Sequence, residues 1–114
     1  MEECLFCRIA AGSLPSDVVY EDTDVIAIRD INPQAPVHIL VISRKHIPGF
    51  EDATEDNEKL LGHVARAAAL VAQQEGVSKT GYRSVVNSGP DAQQSVPHLH
   101  MHVLGGRAMT WPPG

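Results

Sequence analysis

The sequence predicts an α+β fold: an antiparallel sheet of about five strands, one long helix and a short N-terminal helix, in a single domain over residues 1–114. Three observations lead there. Five apolar runs of strand length are separated by clusters of turn residues. One segment, residues 57–75, places apolar side chains at helical spacing and falls between the third and fourth runs. With 114 residues and 43% apolar content, the chain can bury one core but not two. Strands grouped around a single inserted helix make an α+β architecture.

The first element, CLFCRIAAG, reads as a short helical turn ended by Gly12. DVVYED and DVIAIRDI then read as two strands of a hairpin around the polar turn Glu21 to Thr23. Pro33 and Pro36 hold an extended loop, and Val37 to Ser43 form an apolar run suited to a central strand. RKHIPGFEDATE is a loop with the candidate N-caps Thr54 and Asp56. The long helix follows, from about Asn57 to Glu75, with Gly76 as its stop.

Leu60, Leu61, Val64, Ala68 and Val71 make the main stripe of this helix, but Ala65, Ala67, Ala69, Leu70 and Ala72 spread apolar character around it. Such a helix needs cover on two sides, one being the sheet and the other a second subunit. A simpler alternative is an alanine-rich helix that is only a good helix former. YRSVVN and PHLHMHVLGG supply the last two strands, joined by the polar loop SGPDAQQSV.

Nine Lys and Arg against fourteen Asp and Glu give a net charge of −5, which disfavours a nucleic-acid partner. No apolar stretch is long enough to cross a bilayer, and the start MEECLFCRIA is acidic where a signal peptide is basic, so a cytoplasmic protein without a membrane partner is expected. Cys4 and Cys7 are too close to staple distant parts of a fold. They read as half a metal site, a redox pair or two ordinary apolar residues.

PHLHMH carries the chemistry. In a strand, His98, His100 and His102 share one face, while Leu99, Met101 and Val103 enter the core from the other. Three imidazoles in strict alternation allow a plain polar face, a metal site or a nucleophilic imidazole whose neighbours fix its tautomer. Asn87, Gly89 and Ser95 supply neutral hydrogen-bonding groups next to the row, which suits a phosphate bound without metal. His38, on the central strand, adds a fourth imidazole if that strand lies alongside.

SVPHLHMHVLGGR, YEDTDVIAIRDINPQAPVHILVISRKHI, GYRSVVNSGPDAQQSVPHLHMHVLGGR and the closing WPPG resemble, in order and spacing, the histidine triad family, in its Hint branch of nucleoside phosphoramidases. The resemblance implies a homodimer with a continuous antiparallel sheet. It implies hydrolysis of the P–N bond of purine nucleoside 5′-phosphoramidates, with release of AMP or GMP. His100 would be the nucleophile, His102 and His38 would contact phosphate oxygens, and Ser95 would face the leaving group. Asp30 would bind the ribose hydroxyls, Asn87 and Gln94 would lie at the phosphate, and Ile28, Ile31 and Leu40 would form the slot for the base. Trp111 would lie in a tail that reaches the partner subunit's site. Gln93 departs from the family pattern, which has glycine before the Gln-Ser pair.

The resemblance also implies that catalysis needs no cofactor, and that Cys4, Cys7, His46 and His98 can form a structural zinc site. Two other functions remain compatible with the residues. One is a metal-dependent hydrolase that uses the histidine row as ligands, and the other is a nucleotide-binding dimeric scaffold with little activity.

Overall fold

A computed structural model describes residues 4–114. α1 (Leu5–Ala10) is followed by β1 (Val18–Glu21), β2 (Val25–Arg29) and β3 (Val37–Ser43), then by α2 (Glu58–Gln74), β4 (Tyr82–Val85) and β5 (His100–Gly105). The strands form one antiparallel sheet in the order β1-β2-β3-β5-β4, as the α+β expectation required. No helix among the described residues is long and apolar enough to cross a membrane.

β2 and β3 read as continuous apolar runs because both of their faces are covered. Val25, Ala27, Ile39 and Val41 pack with Val103 against Val64, Ala67, Ala68, Val71 and Ala72 of α2. The alternate residues Ile26, Ile28, Leu40 and Ile42 pack against Phe6 and Ile9 of α1. The two-residue period of a strand thus sorts one run into two apolar layers. On α2, Ala65 is exposed, and Leu61, Ala69 and Leu70 are half-buried.

The segment between β3 and α2 contains 3-10 turns at Phe50–Asp52 and Glu55–Asn57 where the sequence suggests only loop. Thr54 caps the second turn, its backbone N–H donating to Asn57 Oδ1 at 2.8 Å, whereas Asp56 lies inside the turn.

β5 begins at His100, so His98 stands outside the regular strand that the alternation predicts. Pro97 has no N–H to give to a ladder. The next two N–H groups bond elsewhere, His98 to Val96 O at 2.8 Å and Leu99 to Ile47 O at 2.6 Å. Similarly, β2 ends at Arg29, and Asp30 turns the chain by accepting the Asn32 N–H at 2.8 Å.

Candidate active site

A cavity of about 610 Å³ opens between α1 and the sheet. Its wall is made by Leu5, Phe6 and Ile9 of α1, its floor includes Ile28 and Leu40, and His100, His102, Asp30, Ile31 and Ser95 also line it. The register explains the grouping: Leu40 lies opposite both Ile28 and His102, and Ile42 lies opposite His100, so these side chains share a face. Ile31 is fully exposed at the rim, so alternation alone misplaces it in the core.

Hydrogen bonds fix the ring tautomers. The Gln34 N–H donates to His38 Nδ1 at 3.0 Å, which leaves the proton of neutral His38 on Nε2. Nε2 lies 2.9 Å from His102 Nδ1 and 3.5 Å from Asp30 Oδ2. His102 Nδ1 therefore accepts, and its own proton sits on Nε2. His100 donates from Nδ1 to the His98 carbonyl at 2.7 Å, which leaves Nε2 with a lone pair.

Burial keeps these rings neutral, because a low-dielectric setting disfavours the imidazolium. It lowers the pKa of His38 against the opposing pull of Asp30, and lowers that of His100 despite its bond to the His98 carbonyl. His102 is brought from the usual imidazole value of 6.5 to about 4 by burial, reinforced by the neighbouring His100 and His38.

His98 belongs to a second cluster. Its Nε2 donates to Ser43 O at 2.6 Å, which leaves Nδ1 free to act as a ligand. Nδ1 lies 3.3 Å from Cys4 Sγ, 3.5 Å from Cys7 Sγ and 3.1 Å from His46 Nδ1, and Cys7 Sγ lies 3.2 Å from His46 Nδ1. Zinc–ligand lengths in a tetrahedron give separations of about 3.3 Å between nitrogens and about 3.5 Å from nitrogen to sulfur. The four donors fit a zinc ion by that measure. Burial and the adjacent Cys4 thiol push the Cys7 thiol up, so a metal binding there would have to displace its proton.

Other candidate residues lie elsewhere. Asn87 is half-buried beyond β4 and is not part of the cavity lining. Gln94 braces the loop instead: its Oε1 accepts the Gly89 N–H at 3.0 Å, and its Nε2 donates to Pro48 O at 2.7 Å. Gln93 keeps the backbone that a glycine would have, with φ at 61°, and its side chain is exposed rather than in the cavity. Trp111 is exposed, 5.8 Å from the Arg83 guanidinium and away from this chain's own cavity.

The α1 wall is missing from the sequence-derived site. The spacing of Leu5, Phe6 and Ile9 marks an apolar helix face, but not that this face meets a cavity rather than core.

Comparison with known proteins bears out the fold. The family model of the HIT domain matches residues 11–109. An uncharacterized HIT-like protein of Synechococcus elongatus is 48% identical over 113 residues, covering 99% of this chain and 98% of that protein. A 14 kDa zinc-binding protein of Zea mays is 50% identical over 112 residues, covering 96% of this chain and 87% of that one. The crystal structure of a HIT family hydrolase from Legionella pneumophila superposes with a TM-score of 0.96 at 50% identity, covering 98% of this chain and all of the other. With the family match spanning residues 11–109 and solved relatives sharing the fold, the chain belongs to the HIT domain family of hydrolase-like proteins.

Proposed function

We propose that the protein is a purine nucleoside phosphoramidase that works through a nucleotidyl-histidine intermediate. The observation that carries this reading is the fixed tautomer of His100, whose Nδ1–H is held by the His98 carbonyl while the ring lines the cavity. Its free Nε2 attacks phosphorus, the P–N bond breaks, and the amine leaves with a proton taken from solvent, which the attacking water of the second step returns. Water then displaces the imidazole and releases AMP or GMP.

His102 presents its Nε2–H to a phosphoryl oxygen because His38 already donates to Nδ1. Asp30, at the rim, accepts from the ribose hydroxyls, and Ser95 faces the leaving amine. The base enters between the α1 wall and Ile28, Ile31 and Leu40, where shape rather than hydrogen bonding selects a purine. Asn87 binds the phosphate, and Gln94 holds the loop beside it through its bonds to Gly89 and Pro48. A homodimer completes the reading, with the half-covered α2 face and exposed Tyr82 on the edge strand β4 as its contact and Trp111 reaching the partner's cavity.

Cys4, Cys7, His46 and His98 would hold zinc, which supplies a tetrahedral cross-link between α1, the segment after β3 and the entry to β5. The three row histidines do not gather round one ion: His98 groups with the cysteines and His46, whereas His102 groups with Asp30 and His38.

Release of AMP from adenosine 5′-phosphoramidate tests the reading. Native protein should turn the substrate over, and His100→Ala should lose about 10³-fold or more in kcat while still binding AMP. Undiminished turnover by the variant would overturn the nucleophile assignment, and an inactive native protein that binds AMP would favour a scaffold.

A further inference from the structure

We infer that the cysteine–histidine cluster controls nucleotide affinity by pinning α1 in place as the wall of the cavity; this rests on the nucleotide-binding reading above. α1 carries both functions on six residues. Cys7 and the preceding Cys4 face His46 and His98, while Leu5, Phe6 and Ile9 face the cavity. Phe6 links the two sites, with its ring edge-on to His98 at 5.9 Å and to His100 at 4.9 Å.

A helix of under two turns is unstable alone, since nucleation costs more than so few hydrogen bonds return. Its N-cap residue Cys4 makes no side-chain cap bond, and its thiol turns toward His98 instead. Apart from the cluster, α1 is tied to the sheet by the burial of Phe6 and Ile9 and by Arg44, whose Nη1 donates to Ala10 O at 2.8 Å.

The nucleophile is braced separately. His98 N bonds to Val96 O, Leu99 N to Ile47 O, Ser43 N to Leu99 O and His98 Nε2 to Ser43 O, all without the cysteines. The carbonyl that orients His100 therefore stays in place when the cross-link to α1 is lost. Metal loss loosens the wall first, lowering the population of the binding-competent cavity and raising the apparent Kd, while chemistry on bound substrate continues.

The test compares zinc-loaded protein with protein stripped by a chelator under reducing conditions, using AMP in a calorimetric titration. Stripping should raise Kd about tenfold, and zinc should restore it. At saturating adenosine 5′-phosphoramidate, kcat should change by less than about threefold. Hydrogen exchange supplies a readout apart from activity: the Arg8 and Ala11 amides, bonded to Cys4 O and Cys7 O, should lose protection while the β5 amides keep theirs.

His46→Asn, which removes a ligand that belongs neither to α1 nor to the cavity lining, should reproduce the rise in Kd. An unchanged Kd after zinc is shown to be gone would overturn the inference. Loss of protection in β5 as well would also overturn it, because the cluster would then hold the whole fold. If zinc-loaded protein fails to bind AMP, the nucleotide reading itself fails, and that is seen before any metal is removed.

Discussion

His102 needs a proton on one nitrogen only, and its surroundings keep it in that state. Burial, with His100 and His38 close by, lowers its pKa from 6.5 to about 4. The acid limb of kcat/KM, which reports the ligand-free protein, should therefore have its midpoint well below 6.5, and a profile with that limb at 6.5 or above would contradict the assigned geometry. At this scale much of the site was legible: alternation and strand pairing were enough to bring His38, His100 and His102 together. Phe6 was not legible as a cavity residue, because an apolar side chain in a short helix carries no mark of whether it meets core or ligand. Nor was the bracing of the loop by Gln94 legible, since a side-chain amide gives no sign in the sequence of which backbone groups it will bond.

Among the elements, the approach of β5 to the segment after α2 leaves no room for a side chain at Gly105. An added Cβ there would lie 2.8 Å from Val77 Cβ and 2.9 Å from its Cγ1. Gly105→Ala should destabilise the protein by about 1–3 kcal/mol through overpacking. Val77→Ala should recover part of that loss in the double variant, and chemical denaturation of the four proteins would measure the coupling. Additive effects would mean that the two positions do not touch. The α2 stripe was readable because helical periodicity survives where one face is buried, and the central strand because cover on both faces leaves an unbroken apolar run of strand length. The start of β5 was not, since whether His98 joins the ladder depends on Val96 and Ile47, and local spacing does not encode those partners.

For the molecule as a whole, the buried imidazoles link stability to pH. His38 and His102 bind protons less readily in the fold than in the unfolded chain. As pH falls from 6.5 toward about 4, the unfolded state takes up protons that folded His102 refuses, so stability should decline through that window. The slope is at most about 1.4 kcal/mol per pH unit for each such group. Asp22 acts in the same direction at lower pH. Burial raises its pKa, but bonds from the Asp24 N–H, Tyr20, His63 and the Val25 N–H outweigh that and hold the carboxyl well below its usual range. Denaturant midpoints from pH 7 to 4.5 check the prediction, and a flat series would contradict it.

The sheet also divides its labour. One side rests on α2 through a layer of small, closely packed side chains, and the other carries the cavity. Substitutions at the exposed rim positions Leu5 and Ile31 therefore meet fewer neighbours than substitutions under α2. A lineage built on this plan has latitude at that rim: Leu5 or Ile31 can drift and shift the range of accepted ligands while the melting temperature stays nearly constant. Selection for a new ligand would then leave its record on the cavity side, and the α2 side would retain the memory of the fold.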